Sequence, residues 1–262
     1  MNQIASIWDS VEIQLLGRRG LSFAIAAKNT EWKPEPHDAA CWRCAGTVGP
    51  YETDGDGCAA CRGQKLPWDR AVRLGTFDGI VRDAVLDLKF RRWIASGYQL
   101  GSVLGARLSA ELERNGIKPS EVRLVPVPIT RRRRLRRGID HTLVLAQGIE
   151  RYHGIRVMPL LRARKRAEQI GLSATARAKN MRGAFFAIGE PHKWGEEHGN
   201  DEVRVFVVID DVMTTGATLK AACSVVRRSI SRNSSGNGAE VWSMCAAVAG
   251  GDRRVGEGDA RN

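Results

Sequence analysis

Two adjacent carboxylates, Asp210 and Asp211, follow an apolar run that extends from Val203 to Ile209. So continuous a run is typical of a strand that is covered on both faces in a parallel sheet. Ligands of such sheets bind beyond the carboxyl ends of the strands, so we expect the two carboxylates to border a ligand crevice. Carboxylate oxygens accept hydrogen bonds, and the hydroxyls of a sugar are suitable donors.

A short turn rich in hydroxyls follows the carboxylates. Its residues are Thr214, Thr215, Gly216, Ala217 and Thr218. The apolar spacing of residues 219–226 predicts that a helix comes next, so the amides of the turn would lie at a helix N-terminus. Unpaired N–H groups and the helix dipole favour a phosphate there, and Gly216 lets the backbone approach it closely. Carboxylates followed by such a turn predict a sugar-phosphate site.

An ordinary buried strand followed by a capped helix is the alternative interpretation of this stretch. It explains the valines and Thr218, but it does not explain adjacent carboxylates at the end of a strand. A Walker phosphate loop is excluded, because the pattern GxxxxGK[ST] occurs nowhere in the chain.

Four of the cysteines form two C-x-x-C pairs. The pairs are Cys41 with Cys44 and Cys58 with Cys61. Each pair offers two thiolates from one tight turn, and two such pairs predict a tetrahedral zinc site. Four thiolates leave no open position for water or substrate, so the pattern indicates a structural zinc. His37 is an alternative ligand in place of one cysteine.

The composition is that of an ordinary globular protein with one main domain and a small module, with 43% hydrophobic residues in 262. No apolar run approaches the ~20 residues of a spanning helix, and the N-terminus lacks the features of a signal peptide. We therefore expect a cytoplasmic protein without membrane insertion, in which cysteines bind metal rather than form disulfides. The two remaining cysteines, Cys223 and Cys245, are predicted core residues.

The chain is strongly basic, with a net charge of +12 and a pI near 9.9. Such a charge attracts polyanions, which include nucleic acid and a substrate that carries a pyrophosphate. Charge alone does not choose between them. Aromatic residues make up only 6% of the chain, and no stripe of alternating arginines and aromatics is present for stacking bases.

Predicted strands and helices alternate from Val72 onward. Strands are predicted at residues 72–77, 122–127, 155–160, 184–188, 203–209 and 241–248, and helices at 80–88, 100–112, 143–152 and 219–228. This alternation predicts an α/β fold around a mostly parallel sheet. Residues 4–15 have helical apolar spacing, which favours a short helix packed on the body over one that contacts a membrane.

A basic loop follows the predicted strand that reads Leu-Val-Pro-Val-Pro from Leu124. Its arginines are Arg131, Arg132, Arg133, Arg134, Arg136 and Arg137. We expect the loop at the same carboxyl edge of the sheet as the carboxylates. The planar fork of arginine binds phosphate oxygens with two hydrogen bonds. A solvated loop or a nucleic-acid surface explains most of these arginines equally well.

The segment that contains the carboxylates and the turn resembles the phosphoribosyl pyrophosphate (PRPP) motif of type I phosphoribosyltransferases. The chain from about Cys41 to Val248 is similar to the ComF family. The family pattern has a cysteine knuckle pair, an LK[FY]R segment, a VPVP strand with an arginine loop, a Q-x-GLS segment that ends in GAF, and then the PRPP motif. Here the LK[FY]R segment is residues 88–91, and the Q-x-GLS segment is residues 169–185.

The resemblance implies the type I phosphoribosyltransferase fold with a small N-terminal zinc-binding module. It divides the chain into a helix and linker (1–36), a zinc knuckle module with four cysteine ligands (37–66), a phosphoribosyltransferase-like domain (67–249) and a disordered tail (250–262).

The resemblance also implies a site for PRPP or another ribose 5-phosphate compound, with Mg²⁺ carried mainly by the pyrophosphate. Asp210 and Asp211 would contact the ribose hydroxyls and act in catalysis, and the turn from Thr214 to Thr218 would wrap the 5′-phosphate. Lys89, Arg131 and Arg137 are the basic candidates for binding the same ligand. Transfer of the phosphoribosyl group to an acceptor would release pyrophosphate.

One stretch departs from the family pattern. The family has RGFNQ where this chain has Arg137, Gly138, Ile139, Asp140 and His141. Asp140 would repel a pyrophosphate that asparagine would bind, so the polar contacts of the family at this place do not carry over.

Two functions follow, and the sequence leaves open whether the chain is an enzyme. One is a PRPP-binding phosphoribosyltransferase-like protein. The other is an accessory protein that has no catalytic role and handles single-stranded DNA with DNA-uptake proteins, because ComF-like proteins are associated with competence. The basic surface suits both functions.

Overall fold

The computed structural model describes residues 22–130, 134–135, 138–164, 183–188, 203–231 and 238–249. Its α-helices are α1 (Phe23–Asn29), α2 (Gly79–Leu86), α3 (Ile94–Arg114), α4 (His141–His153) and α5 (Ala217–Ser231). Its strands are β1 (Thr53–Asp54), β2 (Gly57–Cys58), β3 (Arg70–Thr76), β4 (Val122–Pro126), β5 (Arg156–Val157), β6 (Leu161–Ala163), β7 (Phe185–Ala187), β8 (Val205–Met213) and β9 (Glu240–Val248). A π-helical turn, Asp87–Arg91, follows α2.

Five parallel strands form the central sheet in the order β3, β9, β8, β4, β5. The two longest strands, β8 and β9, lie inside the sheet and are buried along most of their length. Strands in that position are covered on both faces, which is why their sequences are almost continuously apolar. The predicted α/β fold with a mostly parallel sheet is confirmed.

Helices cover both faces of this sheet. Helices α2, α3 and α4 pack on one face, against Val205, Val207 and Ile209 of β8. Helix α5 packs on the other face, against Phe206 and Val208, and the antiparallel pair β6–β7 lies beside it. Successive side chains of a strand point to opposite faces, so odd-numbered residues of β8 face α4 and even-numbered residues face α5.

The direction of the strand connections reverses between β4 and β8. The chain leaves β4 through α4 and reaches β5 at one edge, whereas it leaves β8 through α5 and reaches β9 on the other side. Such a reversal opens a crevice at the carboxyl ends of the two strands. Pairing between β4 and β8 stops at Pro126 opposite Ile209. The part of β8 beyond Ile209 therefore borders the crevice.

The strand that carries the carboxylates continues beyond the predicted end at residue 209. Pairing of β8 with β9 continues to Met213 opposite Val248. Asp210 and Asp211 therefore lie inside the strand, because β9 supplies hydrogen bonds after β4 has ended.

Two other predicted strands differ from the structure. In place of a strand over residues 155–160, β5 covers only Arg156–Val157, and the chain then turns into β6. The strand predicted at 184–188 is β7, which pairs antiparallel with β6 in a separate sheet. The sequence also did not predict α1 within the N-terminal linker.

The helix predicted over residues 4–15 and the tail 250–262 lie outside the described residues. Within the described ranges, no helix combines the length and the apolar character needed to cross a bilayer.

The segment before the first cysteine pair and the pair itself cover the free edge of β3. The amide of Glu35 donates to the carbonyl of Leu74 at 3.0 Å, and the amide of Ala71 donates to the carbonyl of Trp42 at 2.8 Å. Arg73, which is 2% exposed, binds the carboxylate of Glu35 at 2.7 Å. An uncovered edge strand would expose unpaired backbone groups, so these contacts close the sheet on this side.

Helices α3 and α4 cross at two glycines. A Cβ atom built on Gly101 would lie 2.4 Å from the carbonyl oxygen of Leu145, and one built on Gly148 would lie 2.7 Å from the carbonyl oxygen of Tyr98. Only glycine permits this approach of two backbones. The crossing fixes the position of α4, whose N-terminus lies at the crevice.

Replacement of Gly101 by alanine tests this crossing. Overpacking of a tight core costs about 1–3 kcal/mol, and a clash with a backbone carbonyl outweighs the helix-propensity gain of ~1 kcal/mol for Gly to Ala. We expect Gly101→Ala to lower the free energy of unfolding in urea. Gly55→Ala is the control, because a Cβ on Gly55 meets nothing within 4 Å. A Gly101→Ala protein as stable as the control would contradict the tight crossing.

Candidate ligand site and candidate zinc centre

Asp210 and Asp211 project to opposite faces of β8 at the crevice. Asp211 faces α4 and is buried, with 4% of its surface exposed. Asp210 points toward the face of α5 by strand alternation and is partly exposed. One oxygen of Asp210 accepts a hydrogen bond from the backbone N–H of Asp211 at 2.8 Å. The two carboxylates are adjacent in sequence but have different surroundings.

Two basic side chains meet the carboxylate of Asp211. Lys89 Nζ lies 2.9 Å from Oδ1, and His141 Nε2 lies 2.7 Å from Oδ2. The exposed fractions of the Lys89, Asp211 and His141 side chains are 17%, 6% and 5%. We call these three residues the Asp211 cluster. The structure thus brings Lys89, a predicted ligand-binding residue, against a predicted catalytic residue.

The pKa values of the two carboxylates move in opposite directions. Burial raises the pKa of Asp210 to about 7, and the neighbouring charge of Asp211 adds to this effect. Burial opposes ionisation of Asp211 as well, but the hydrogen bond and charge of His141 and the charge of Lys89 outweigh it and lower the pKa of Asp211. At neutral pH the crevice therefore has one permanent negative charge and one that changes with pH.

The π-helical turn Asp87–Arg91 presents Lys89 to the crevice. Such turns inserted after α-helical residues are frequent at functional sites. Leu88 is fully buried and anchors the turn in the core. The turn ends at Arg92, which has a left-handed backbone with φ of 58°. This change of direction stops the helix just after Lys89, before α3 begins.

The turn after β8 contains a glycine with a left-handed backbone, which would let the backbone of the turn come close to a ligand. Strand β8 ends at Met213 and α5 begins at Ala217, so Thr218 lies in the first turn of the helix. Gly216 has a φ of +70°, which residues with a Cβ rarely adopt. Thr214 and Thr215 are exposed. The predicted helix is confirmed, and its first amides have no partner within the helix.

His141 is the residue of the cluster that the sequence did not identify. It is the first residue of α4, and Asp140 is the N-cap. The carboxylate of Asp140 accepts a hydrogen bond from the Leu143 amide at 3.3 Å, and the hydroxyl oxygen of Thr142 lies 2.8 Å from the same carboxylate oxygen. The N-terminus of α4 thus partly offsets the negative charge that was expected to repel pyrophosphate. An aspartate before an apolar run signals a helix start, but only the fold shows that this helix meets β8.

Two predicted ligand-binding residues, Arg131 and Arg137, lie outside the described residues. Arg134, from the same loop, is described and exposed. Most of the Q-x-GLS segment also lies outside the described ranges. Among the described residues, the crevice is bordered by β4, β8, the π-helical turn and the first residues of α4 and α5.

The four paired cysteines come together in one cluster. Their Sγ atoms all lie within 4.8 Å of one another. The Cys41–Cys61, Cys44–Cys58 and Cys58–Cys61 Sγ distances are 3.8, 3.7 and 3.8 Å. Four thiolates at about 2.3 Å from a tetrahedral zinc would lie about 3.8 Å apart. The cluster therefore fits a structural zinc ion.

The structure also shows where His37 and the two remaining cysteines lie. His37 lies 3.4 Å from Glu111 and is not part of the cysteine cluster. Cys223 and Cys245 are buried, as predicted for core residues. All six cysteines are free thiols. A zinc ion bound in this cluster would therefore have four sulfur ligands.

Arg43 and Trp68 connect the cysteine cluster to its surroundings. The guanidinium of Arg43 donates to the carbonyls of Cys61 and Gln64, both at 2.7 Å, and so joins the two cysteine pairs. Trp68 Nε1 donates to the carbonyl of Arg43 at 2.8 Å. The ring of Trp68 packs in the same apolar cluster as Met213 and Leu219. The cysteine module thus shares an apolar wall with the turn after β8.

Metal analysis of the purified protein tests the zinc centre. We expect one zinc per chain, and we expect Cys41→Ser and Cys58→Ser to lose the metal and to unfold at a lower temperature. The effect should be large, because zinc contributes on the order of 10 kcal/mol to the folding of finger peptides. Cys223→Ala, which removes a core thiol, should keep its zinc. A protein that contains no zinc, or serine variants as stable as the wild type, would refute the assignment.

Known proteins are similar to this chain in sequence over most of its length. No model of a known protein family matches the chain. The chain is 28% identical to DNA utilization protein YhgH of Escherichia coli (strain K12) over 196 residues, which cover 73% of this chain and 78% of that protein. It is 25% identical to Competence protein F of Haemophilus influenzae over 173 residues, which cover 65% and 72% of the two chains. Alignment with these proteins over most of the chain, together with the ComF sequence pattern on an α/β fold, supports a ComF family protein.

Proposed function

We propose that the crevice between β4 and β8 binds a ribose 5-phosphate compound, with PRPP as the main candidate. The observation that carries the proposal is the position of Asp210 and Asp211. They lie at the point where strand connections reverse, immediately before a glycine turn and the N-terminus of α5. Carboxylates suit ribose hydroxyls, and a helix N-terminus suits a phosphate, in the order that a sugar phosphate requires.

Asp211 retains capacity for a ligand although Lys89 and His141 contact it. Each carboxylate oxygen has two lone pairs, and each of these oxygens has one close basic partner. Oδ2 is enclosed by the protein, so a ribose hydroxyl would use the remaining acceptor position of Oδ1. The cationic end of Lys89 is held at the crevice, where it can also meet a phosphate oxygen of the ligand.

The turn after β8 can supply enough binding free energy for a phosphate. Hydrogen bonds to a charged group contribute about 1.5–3 kcal/mol each. Four or five of them, from the amides and hydroxyls of Thr214 to Thr218, would approach the roughly 8 kcal/mol of micromolar affinity before ordering costs. Binding is thus supported independently of whether the bound ligand reacts.

A transfer reaction is the further step of this proposal. A nucleophile would attack C1 of the ribose, the C1–oxygen bond to pyrophosphate would break, and pyrophosphate would leave with the electron pair. Positive charge that develops on the ring would be stabilised by the ionised Asp211 and by Asp210 in its ionised form. Mg²⁺ would be held mainly by the pyrophosphate of the ligand, in keeping with its preference for phosphates and few protein oxygens, and would neutralise the charge of the leaving group.

Calorimetry with PRPP and Mg²⁺ tests the binding proposal. Wild-type protein should bind PRPP, and Thr215→Ala and Asp211→Asn should each weaken binding by roughly tenfold or more, because each removes hydrogen bonds of the charge-assisted kind. Thr215 is exposed, so its replacement leaves the core unchanged. Asp83→Asn, on the exposed side of α2, is the matched control for Asp211→Asn. No binding by the wild type, or equal binding by all variants, would contradict the proposal.

A second function, the handling of single-stranded DNA, is favoured by the relatives. They carry the names DNA utilization protein and Competence protein F, and this chain has a net charge of +12. We propose that the protein acts in DNA uptake or utilization in the cytoplasm, together with DNA-uptake proteins. A PRPP site and a DNA surface are compatible in one protein, because the crevice occupies only one edge of the sheet.

The salt dependence of DNA binding tests this second function. Binding to single strands should weaken steeply as salt is added, with a slope of about −0.7 for each phosphate neutralised. Replacement of Arg131, Arg132, Arg133 and Arg134 by alanine should reduce both the affinity and the slope. Replacement of the exposed Arg82 of α2 by alanine is the control. A protein that does not bind single strands at low salt would exclude direct DNA handling.

A further inference from the structure

His141 contacts Asp211 from a position that three interactions fix. Its side chain is 5% exposed, and its Nε2 lies 2.7 Å from Asp211 Oδ2. The next residue, Thr142, donates its hydroxyl to the carbonyl of Val127 at 2.6 Å, which ties the start of α4 to the end of β4. Asp140 caps the same helix end. The imidazole therefore has little freedom to turn away from Asp211.

Charged and titratable groups surround this contact from several elements. Lys89 approaches Asp211 from the π-helical turn, Asp210 is its neighbour on β8, and Asp140 lies beside His141 on α4. On β9, Cys245 is paired with Asp210, and burial raises the pKa of its thiol to about 12, so it is neutral at neutral pH. Among these groups, Lys89 and His141 are the ones that can place positive charge against Asp211.

We propose that His141 is a positioning residue for the ribose site, which holds Oδ2 of Asp211 while Lys89 holds Oδ1. This inference rests on the proposed function of the crevice, and it assigns a role to a residue that the PRPP motif does not contain. With a basic side chain against each oxygen, the carboxylate has one orientation, and the second lone pair of Oδ1 points to a fixed position. A ribose that donates a hydroxyl to Oδ1 then loses less freedom on binding than it would with a mobile carboxylate.

Histidine gives this contact a property that a neutral donor would lack. The Nε2–H of histidine and the terminal amide of glutamine lie at a similar reach from the backbone, so both can donate to Asp211. The hydrogen bond and the charge of His141 both lower the pKa of Asp211, and glutamine would supply the hydrogen bond alone.

Three variants separate the contact from simple packing. His141→Gln keeps a donor without the charge, and His141→Leu keeps the bulk without a donor. His153→Gln is the matched control, because His153 lies at the other end of α4 and binds the Ser102 carbonyl at 2.8 Å. Should the leucine variant fail to fold, His141→Asn replaces it, since its shorter amide cannot reach Asp211.

The first measurement uses the protein without any ligand. The carboxyl carbon of Asp211 is followed by NMR during a pH titration and assigned by its absence in Asp211→Asn. The titration midpoint should be lowest in the wild type and in His153→Gln, higher in His141→Gln and highest in His141→Leu. A loss of packing alone would not produce this order. An unchanged midpoint in His141→Leu would overturn the inference, whatever the crevice binds.

The second measurement is the affinity for ribose 5-phosphate at neutral pH. His141→Leu should bind roughly tenfold more weakly than the wild type, which is the loss expected for one charge-assisted hydrogen bond, and His141→Gln should recover most of the affinity. Equal affinity of the leucine variant and the wild type would overturn the positioning role. If the midpoints shift as expected but the wild type binds neither ribose 5-phosphate nor PRPP, the proposed function fails and the hold of His141 on Asp211 stands.

Discussion

The negative charge of Asp211 is buried at the end of the sheet, and the structure around the crevice depends on how that charge is balanced. A buried carboxylate without partners would be costly, because the low dielectric of the interior disfavours the charged form. Lys89 and His141 supply the balance from two different segments. Removal of one partner would leave the charge only partly compensated, so the three side chains are coupled in stability as well as in position.

This requirement links parts of the fold that are distant in the sequence. The lysine reaches the crevice because α2 continues into a π-helical turn and then stops at the left-handed Arg92. The histidine reaches it because the glycine crossing of α3 and α4 sets the start of α4 beside β8. The π-helical turn and the crossing are local departures from regular helix packing. Each brings one basic side chain to the same carboxylate, so both departures contribute to the Asp211 cluster.

The sequence predicted the elements more successfully than the contacts between them. The apolar run of β8, the turn with Gly216 and the helix after it have strong local signals, and the C-x-x-C pairs directly predict which four sulfurs come together. Lys89 was predicted from its family segment, but its partner was not. The contact of His141 with Asp211 joins residues that are far apart in the chain, and it depends on a helix crossing that periodicity does not reveal.

The extension of β8 through both carboxylates was missed for a related reason. Two charged residues in a row argue against a strand when the sequence alone is considered. In the fold they are tolerated because β4 has already ended, so that one side of the strand faces the crevice while β9 continues on the other. The departure from strand composition occurs at the proposed functional site, where such conflicts between local and global preferences are expected.

The cysteine module and the turn after β8 are physically continuous through Trp68. Its indole N–H binds the first cysteine pair through the Arg43 carbonyl, and a Cβ built on Gly216 would lie 3.9 Å from its ring. The turn is thus backed by a rigid aromatic side chain that the cysteine module holds in place. The turn contains a left-handed residue, and the hydrogen bond of the Ala217 amide to the Thr215 hydroxyl, at 3.4 Å, adds little stability to it. Support from the module therefore gives the cysteine cluster a role in shaping the proposed ligand site, beyond covering the edge of β3.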